Sequence, residues 1–517
     1  MNFFNKMRNE ALNKIEYNMS VTENGALGFK TSGKYLLDMN FKVASMRNMT
    51  FSQIKDMFSL AYVEDPRLAI IWLFYVRDIR EGLGERRIFR CILPEILKDI
   101  KEKNAYKLIE LVSEYGRFDD LYCIIEESAQ YTDYVAKLFK DQLSEDIDNM
   151  EKGKSISLLA KWLKSEKASS HKSKELAFKT MRMLGLTPRK YRKLLSKMRA
   201  YLNVVEVKMT SNNWGEIKYD QVPSKASLNY KNAFIKHDKD RYNEFISNVN
   251  KGEAKINAAT LYPHEIVDRY IDKSGWSGRV KSSIDTTLEA LWKNLPDTVN
   301  GDSRTLVVAD GSGSMTTTIG GSSVRALDVA NALAIYFAER AQGPYANKYI
   351  TFSSRPQFVD FTNCTSLRDK ISYALQHDEI SNTNIEKVFN LILDTAIKNK
   401  CSQDEIPNNV LILSDMEFDG ATYGKVDKSL FQNIAEKYEN AGYKLPRLVF
   451  WNLASRTGTI PVIQNNLGVA LISGFSTNLV KMVLDGETDP YKCLVKVLES
   501  ERYEPVSKAL LEQICII

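Results

Sequence analysis

The chain is 517 residues long, 44% hydrophobic and 26% charged, with a formal net charge of +6. Such a length implies at least two domains, and the composition is globular rather than low-complexity or fibrous. The longest apolar run, nine residues from Leu68 to Val76 between Arg67 and Arg77, falls far short of the roughly 20 that a membrane span needs.

The amino terminus, Met-Asn-Phe-Phe-Asn-Lys-Met-Arg, carries no hydrophobic signal region. The six cysteines are scattered without a C-x-x-C pair, which leads us to expect a reducing, cytoplasmic setting. The four histidines show no metal-ligand spacing, so zinc chemistry is not expected.

From about residue 40 to 250 the apolar spacing is helical, with segments at 68–80, 86–103, 121–126, 134–143 and 155–163. Helices of about 10–18 residues joined by short breaks predict an α-solenoid of stacked pairs, although no clean repeat accompanies them. Charge is uneven here. Residues 151–250 hold 22 Lys/Arg against 9 Asp/Glu, a balance of +13, which leaves the rest of the chain at −7. That asymmetry favours a polyanion-binding surface over a generally basic protein.

The sharpest part of this block starts at Thr187-Pro188, a good N-cap and first helical residue. Tyr191, Leu194, Leu195 and Met198 form the apolar face, while Arg189, Lys193 and Lys197 recur every fourth residue, flanked by Lys190 and Arg192. Arg189 and Lys190 fall in the first turn, where the helix dipole disfavours cations by about 0.3–1 kcal/mol each. A bound anion would relieve that mismatch. Ser169-Ser-His-Lys-Ser-Lys-Glu likewise places His171, Lys172 and Lys174 at a helix start, ahead of Lys179 and Arg182. Tyr191, Tyr201 and Trp214 are candidates for base stacking or for core packing. The plain alternative for all these cations is a solvated helical face.

Residues 253–300 read as helical or irregular connections. From 304 onward, strands at 305–310, 348–353, 409–415, 446–452 and 468–473 alternate with helices near 322–341, 366–375, 383–399, 430–441 and 477–485. This alternation predicts a doubly wound, mostly parallel sheet. The first strand ends in Asp310-Gly-Ser-Gly-Ser314, where Gly311 and Gly313 let the chain turn without steric cost. Asp310, Ser312 and Ser314 then converge beyond the carboxyl end of the strand, where open α/β sheets bind ligands. Hard oxygen donors without His or Cys suit Mg²⁺ or another hard divalent cation. Thr383, opening a helix, and Asp415, ending a strand, stand where neighbouring loops share the same sheet edge, and Asp419 is a weaker candidate. Taken singly, a turn, a helix N-cap and a strand-end residue would account for them.

Asp310-x-Ser-x-Ser followed by Thr383 and Asp415 resembles the metal-ion-dependent adhesion site (MIDAS) of the von Willebrand factor type A family. That resemblance implies that Ser312, Ser314 and Thr383 approach the metal directly, that Asp310 and Asp415 act largely through waters, and that a partner's carboxylate takes the open position. Tyr75-Val-Arg-Asp-Ile-Arg-Glu-Gly-Leu-Gly-Glu-Arg, Tyr115-Gly-Arg-Phe-Asp-Asp-Leu and Leu159-Ala-Lys-Trp-Leu resemble a family of Ro-like proteins. So do Leu202-Asn-Val-Val-Glu, Ser414-Asp-Met-Glu-Phe-Asp and Val449-Phe-Trp-Asn-Leu. The likeness runs from about Thr22 to Asp485 and is nearest to the branch described as domain-of-unknown-function family 2828.

The Ro resemblance implies an all-α, HEAT-like helical-repeat ring (a TROVE module) over 1–300, then an α/β doubly wound, Rossmann-like type A domain over 301–487. A helical tail over 488–517 is expected to pack on the first domain. It further implies RNA as partner, with single-stranded 3′ ends of defective RNAs entering a basic hole and small noncoding RNAs on the outer surface. Ser170-His171-Lys172 resembles a Ser-His-Lys element of the Ro RNA-binding helices.

The expected function is a noncatalytic ribonucleoprotein scaffold whose Mg²⁺ site recruits a protein partner, such as a nuclease. Two rivals stand beside it: a metal-dependent adhesion scaffold without RNA, and a Mg²⁺-dependent phosphoryl-transfer enzyme using Asp310. The second lacks an evident general base or cationic phosphate clamp near Asp310.

Overall fold

The computed structural model describes residues 18–273, 278–299, 304–320, 322–352, 356–378, 385–418, 430–461, 469–479 and 489–510. These fall into two compact units: the described parts of Met1–Pro66 with Leu261–Leu498, and of Arg67–Thr260 with Glu499–Ile517. The bounds expected from the sequence, 1–300, 301–487 and 488–517, do not coincide with the edges of these units.

The unit built on Arg67–Thr260 contains helices and turns, and no strand among its described residues. Leu68 to Val76, the long apolar run, is buried on every side of its helix, and so is Arg77 after it. Arg86–Asp99 and Glu102–Tyr115 bury one face each, through Ile88, Phe89, Ile92, Leu93 and Ile96 in the first and Ala105, Leu108, Ile109 and Val112 in the second. That is the one-sided pattern expected of stacked helices.

Two of the distinctive sequence motifs are structural in this unit. Gly82 and Gly116 lie where a Cβ would come within 2.0 Å of the Tyr75 carbonyl oxygen and 2.5 Å of Asp120 Oδ2, respectively. Only glycine permits so close an approach. Asp120, fully buried, accepts Arg77 Nε at 2.8 Å and Arg90 Nε at 2.6 Å. Residues 499–510 complete the same unit. Arg502 Nε donates to Asp78 Oδ2 at 2.8 Å, and the buried Tyr503 ring packs on Tyr75 and Tyr115.

The other unit holds ten strands among its described residues: β1 (Met19–Val21), β2 (Leu27–Phe29), β3 (Ile271–Asp272), β4 (Arg279–Val280), β5 (Thr305–Asp310), β6 (Lys348–Phe352), β7 (Gln357–Asp360), β8 (Asn409–Ser414), β9 (Arg447–Asn452) and β10 (Val469–Ser473). Six of them form one sheet in the order β10-β9-β8-β5-β6-β7. All neighbours are parallel except the antiparallel edge strand β7. The sequence predicted the five parallel strands within a residue or two. It missed β7, a four-residue edge strand whose Phe358 is exposed. It also read 253–300 as connection, where β3 and β4 form a two-residue ladder.

Val307, Val308, Ala309 and Val410 to Leu413 are buried, as expected of parallel strands covered on both faces. Residues 326 to 338 of the helix Ala326–Arg340 are buried against them. The strand order reverses at β5, since β6 follows on one side and β8 flanks the other. Ligand crevices of open α/β sheets form at such a switch point, beyond the carboxyl ends of the strands.

Residues 18–66 join this unit by pairing. Phe29 bridges Ile460, Thr22 Oγ1 donates to the Phe418 carbonyl at 2.5 Å, and Asn24 Nδ2 donates to the Glu417 carbonyl at 2.7 Å. Backbone pairing at that distance in sequence leaves no periodic signal, which is why the first 66 residues were read with the helices. No helix among the described residues is long and apolar enough to cross a membrane.

Candidate functional site

Asp310 closes β5 and is buried. Its Oδ1 accepts Ser312 N–H at 2.9 Å, and its Oδ2 accepts the Ser414 hydroxyl at 2.7 Å. Ser312 and Ser314 place their hydroxyl oxygens 3.0 Å apart. Neither Gly311 nor Gly313 takes a positive φ. The expected glycine turn is instead a short 3₁₀ turn over Gly313–Thr316, which follows Ser312 in extended conformation.

Asp415, just past β8, is also buried. Its Oδ1 accepts Glu417 N–H at 3.2 Å, Ser314 hydrogen-bonds its carboxylate, and Oδ2 accepts no hydrogen bond among the described residues. Burial first, and the charge of Asp415 second, push the Asp310 carboxyl above the ordinary carboxylate range. Burial does the same to Asp415. Two enclosed, mutually repelling carboxylates, one with an oxygen that accepts no hydrogen bond among the described residues, beside two hydroxyls form a donor set that fits a hard divalent cation. Among the described residues no three His, Cys, Asp or Glu side chains cluster for a metal, so the donor set rests on two carboxylates and the neighbouring hydroxyls. Thr383 and Asp419 lie outside the described residues.

Three further side chains belong to this centre and were missed in the sequence. Ser414 bonds Asp310, and its position next to Asp415 was the available signal. Buried Glu417 organises the adjoining loops. Arg456, on the loop after β9, places Nη2 3.5 Å from Asp415 Oδ2. The sequence offers no cationic clamp near Asp310; the structure places Arg456 beside Asp415, because the loop after a strand neighbouring β8 reaches the same sheet edge.

In the helical unit, the predicted basic segments are the helices His171–Leu184 and Pro188–Tyr201. Ser170 and Thr187 cap them, accepting Ser173 N–H at 3.5 Å and Lys190 N–H at 3.4 Å. Lys174, Arg182, Arg189, Lys190, Lys193 and Lys197 are exposed and form no ion pair among the described residues. Other candidates are engaged. Lys172 Nζ pairs with Glu126 at 2.9 Å, Lys179 Nζ donates to the Ile125 carbonyl at 2.6 Å, and Arg192 pairs with Glu166. His171, 89% exposed, faces Glu175 at 3.7 Å.

The suggested stacking residues are also occupied. Tyr191 is buried with its hydroxyl on the Lys164 carbonyl, Tyr201 bonds the Lys154 carbonyl, and Trp214 stacks on His237. The aromatic side chain left open is Phe178, 46% exposed. It lies one turn from both Lys174 and Arg182 on the outer face of its helix. The apolar spacing of Leu176, Ala177, Thr180 and Met181, which are buried, was the signal that Phe178 points outward.

Residues 163–304 match the family described as "Domain of unknown function (DUF2828)", and residues 304–509 match "Domain of unknown function (DUF7788)". Among solved structures, the chain is similar to the crystal structure of Deinococcus radiodurans RO (RSR) protein. The TM-score is 0.44 at 13% identity, over 87% of this chain and 94% of that one. Among curated proteins it is similar to "Uncharacterized protein L728" of Acanthamoeba polyphaga mimivirus, which is 33% identical over 524 residues. With 95% of this chain and 89% of that protein aligned, the chain belongs to the family of the mimivirus protein L728.

Proposed function

We propose that this protein is a noncatalytic RNA-binding scaffold with a divalent-cation site for docking a protein partner. The observation that carries the RNA reading is the set of six exposed cations, without ion pairs among the described residues, on two consecutive helices of the +13 block. Arg189 and Lys190 crowd the start of a helix with no acidic residue in its first turn, where backbone N–H groups favour an anion. The sequence resemblance to Ro-like proteins makes RNA, rather than another polyanion, the partner of choice, and a type A domain the reading of the sheet unit. A HEAT-like ring follows from the same resemblance.

Asp310, Ser312, Ser314 and Asp415, with Thr383 assigned from sequence, would hold Mg²⁺. Bound there, the ion would supply a Lewis-acidic position for a carboxylate oxygen of a protein partner, a nuclease being one class that fits an RNA scaffold. Around that position the chain's own groups share a limited set of protons. Ser414 donates to Asp310, and Ser312 and Ser314 share one hydrogen bond. Cys91, Cys123, Cys364, Cys401 and Cys493 form no disulfide among the described residues, and the setting proposed from the scattered cysteines is a reducing, cytoplasmic one.

A second reading is favoured by Arg456. A guanidinium beside Asp415 is a candidate for the phosphate clamp that a Mg²⁺-dependent phosphoryl-transfer site needs. Turnover of a phosphate ester that Asp310→Asn abolishes would establish it.

The test of the main reading is filter binding of nuclease-treated protein to structured RNA with and without a single-stranded 3′ tail, across salt. Tail-dependent binding that weakens steeply with salt supports the scaffold. No binding at low salt overturns it and leaves metal-dependent protein docking.

A further inference from the structure

The buried Glu417 carboxylate joins two separate loops over the candidate metal centre. Its Oε2 accepts Glu23 N–H at 2.9 Å, and its Oε1 accepts Arg456 N–H and Thr457 N–H, both at 2.9 Å. Met416, at φ +64°, turns the chain between Asp415 and Glu417, so one carboxylate serves the centre while the next anchors its rim. With their backbones fixed in this way, the side chains of Glu23 and Arg456 meet as an ion pair.

The Arg456 guanidinium does more than pair with Glu23. Its Nη2 lies 3.5 Å from Asp415 Oδ2. Its Nη1 lies 3.2 Å from Thr317 Oγ1 and 3.5 Å from the Ser314 carbonyl oxygen. It therefore spans the rim formed by Asp415, Ser314 and Thr317. A carboxylate as enclosed as Asp415 keeps its charge only with a cation beside it. In this structure the cation is Arg456, 34% exposed, whose Nη2 also pairs with Glu23.

A guanidinium has no lone pair to give a metal and repels one. We infer that Arg456 is the resident counter-ion of Asp415, that an incoming divalent cation competes with it, and that Glu23 sets the balance by holding the guanidinium away from Asp415. The inference rests on the divalent-cation reading given above. It assigns Arg456 and Glu23 as positioning residues that couple ion loading to the rim between the β1–β2 turn and the loop after β9. Because coupling between two binding events is reciprocal, ion loading weakens the hold of Asp415 on Arg456.

The two residues carry opposite signs in this scheme, and that makes it testable. Isothermal titration of the full chain with Mn²⁺ and with Mg²⁺ would compare wild type, Arg456→Gln, Glu23→Gln and the double variant. Arg456→Gln should tighten binding on the order of tenfold, and Glu23→Gln should weaken it several-fold, because the guanidinium then settles on Asp415. The double variant should follow Arg456→Gln, since Glu23 acts only through Arg456. Arg456→Lys, which keeps the charge, should stay near wild type and controls for loss of fold.

Shifts of the two single variants in the same direction, or no shift in either, would overturn the inference, because a merely structural ion pair loses the same contact from either end. Binding that appears only in Arg456→Gln would support it in its strongest form. Absence of Asp310-dependent binding in every variant would overturn the divalent-cation reading itself, and the inference with it.

Discussion

Asp378 carries a proton-linked contribution to stability that its position in the sequence does not announce. Its carboxyl accepts Asn331 Nδ2 at 3.0 Å and is pushed up to about 7, by desolvation first and by the neighbouring Asp328 charge as a further cause. The folded chain holds this proton to about pH 7, whereas an unfolded Asp releases it near its ordinary value of 3.8. Between those values the unfolded state binds fewer protons, so stability falls as pH rises from about 4 to 7 and is level above. Urea denaturation in EDTA should show that decline, by a few kcal/mol at most from this residue, and Asp378→Asn should lessen it, the raised Asp310 and Asp415 carboxyls supplying the remainder. If the site holds Mg²⁺ as proposed, added Mg²⁺ should raise the Tm of the wild type and not that of Asp310→Asn, and the variant should bind RNA as the wild type does. Equal loss of both would show a misfolded variant. Asp310, Ser312, Ser314 and Asp415 were legible in the sequence because each sits at the end of an apolar strand run. Ser414, Glu417 and Arg456 were not, because their roles come from side chains meeting across loops distant in sequence.

At the scale of elements, the second basic helix begins where N-cap chemistry predicts, at Thr187, and the first begins after Ser170, within the segment expected to hold a helix start. Periodicity and capping are local properties and survive without tertiary information. The sorting of cations into engaged and open ones is not local. Lys172, Lys179 and Arg192 find partners on other segments. The variant that tests the surface is therefore Arg182, Arg189, Lys193 and Lys197 changed together to Ala. It should lose RNA binding by at least tenfold and lower the salt slope by about 0.7 per phosphate contact removed, with the circular dichroism spectrum unchanged. Unaltered affinity would reduce these side chains to a solvated face.

At the scale of the whole chain, the units are discontinuous in sequence. Tyr503 is fully buried beside Tyr75 and Tyr115 in the helical unit. Tyr503→Ala should cost that unit about 3–5 kcal/mol, read as faster proteolysis within 67–260 than within 305–452. Equal protection of the two segments would show that the tail contributes little. The amino-acid sequence alone determined the division into a helical and an alternating α/β region, the five parallel strands, the charge asymmetry and the oxygen-rich loop after β5. Those features are written in spacing and composition over a few turns or strands. The tertiary structure decided which distant segments complete each unit: residues 18–66 with the sheet, 499–510 with the helices, and Arg456 beside Asp415. Such pairings depend on the sheet order and on burial between residues tens to hundreds of positions apart, and no local pattern encodes either.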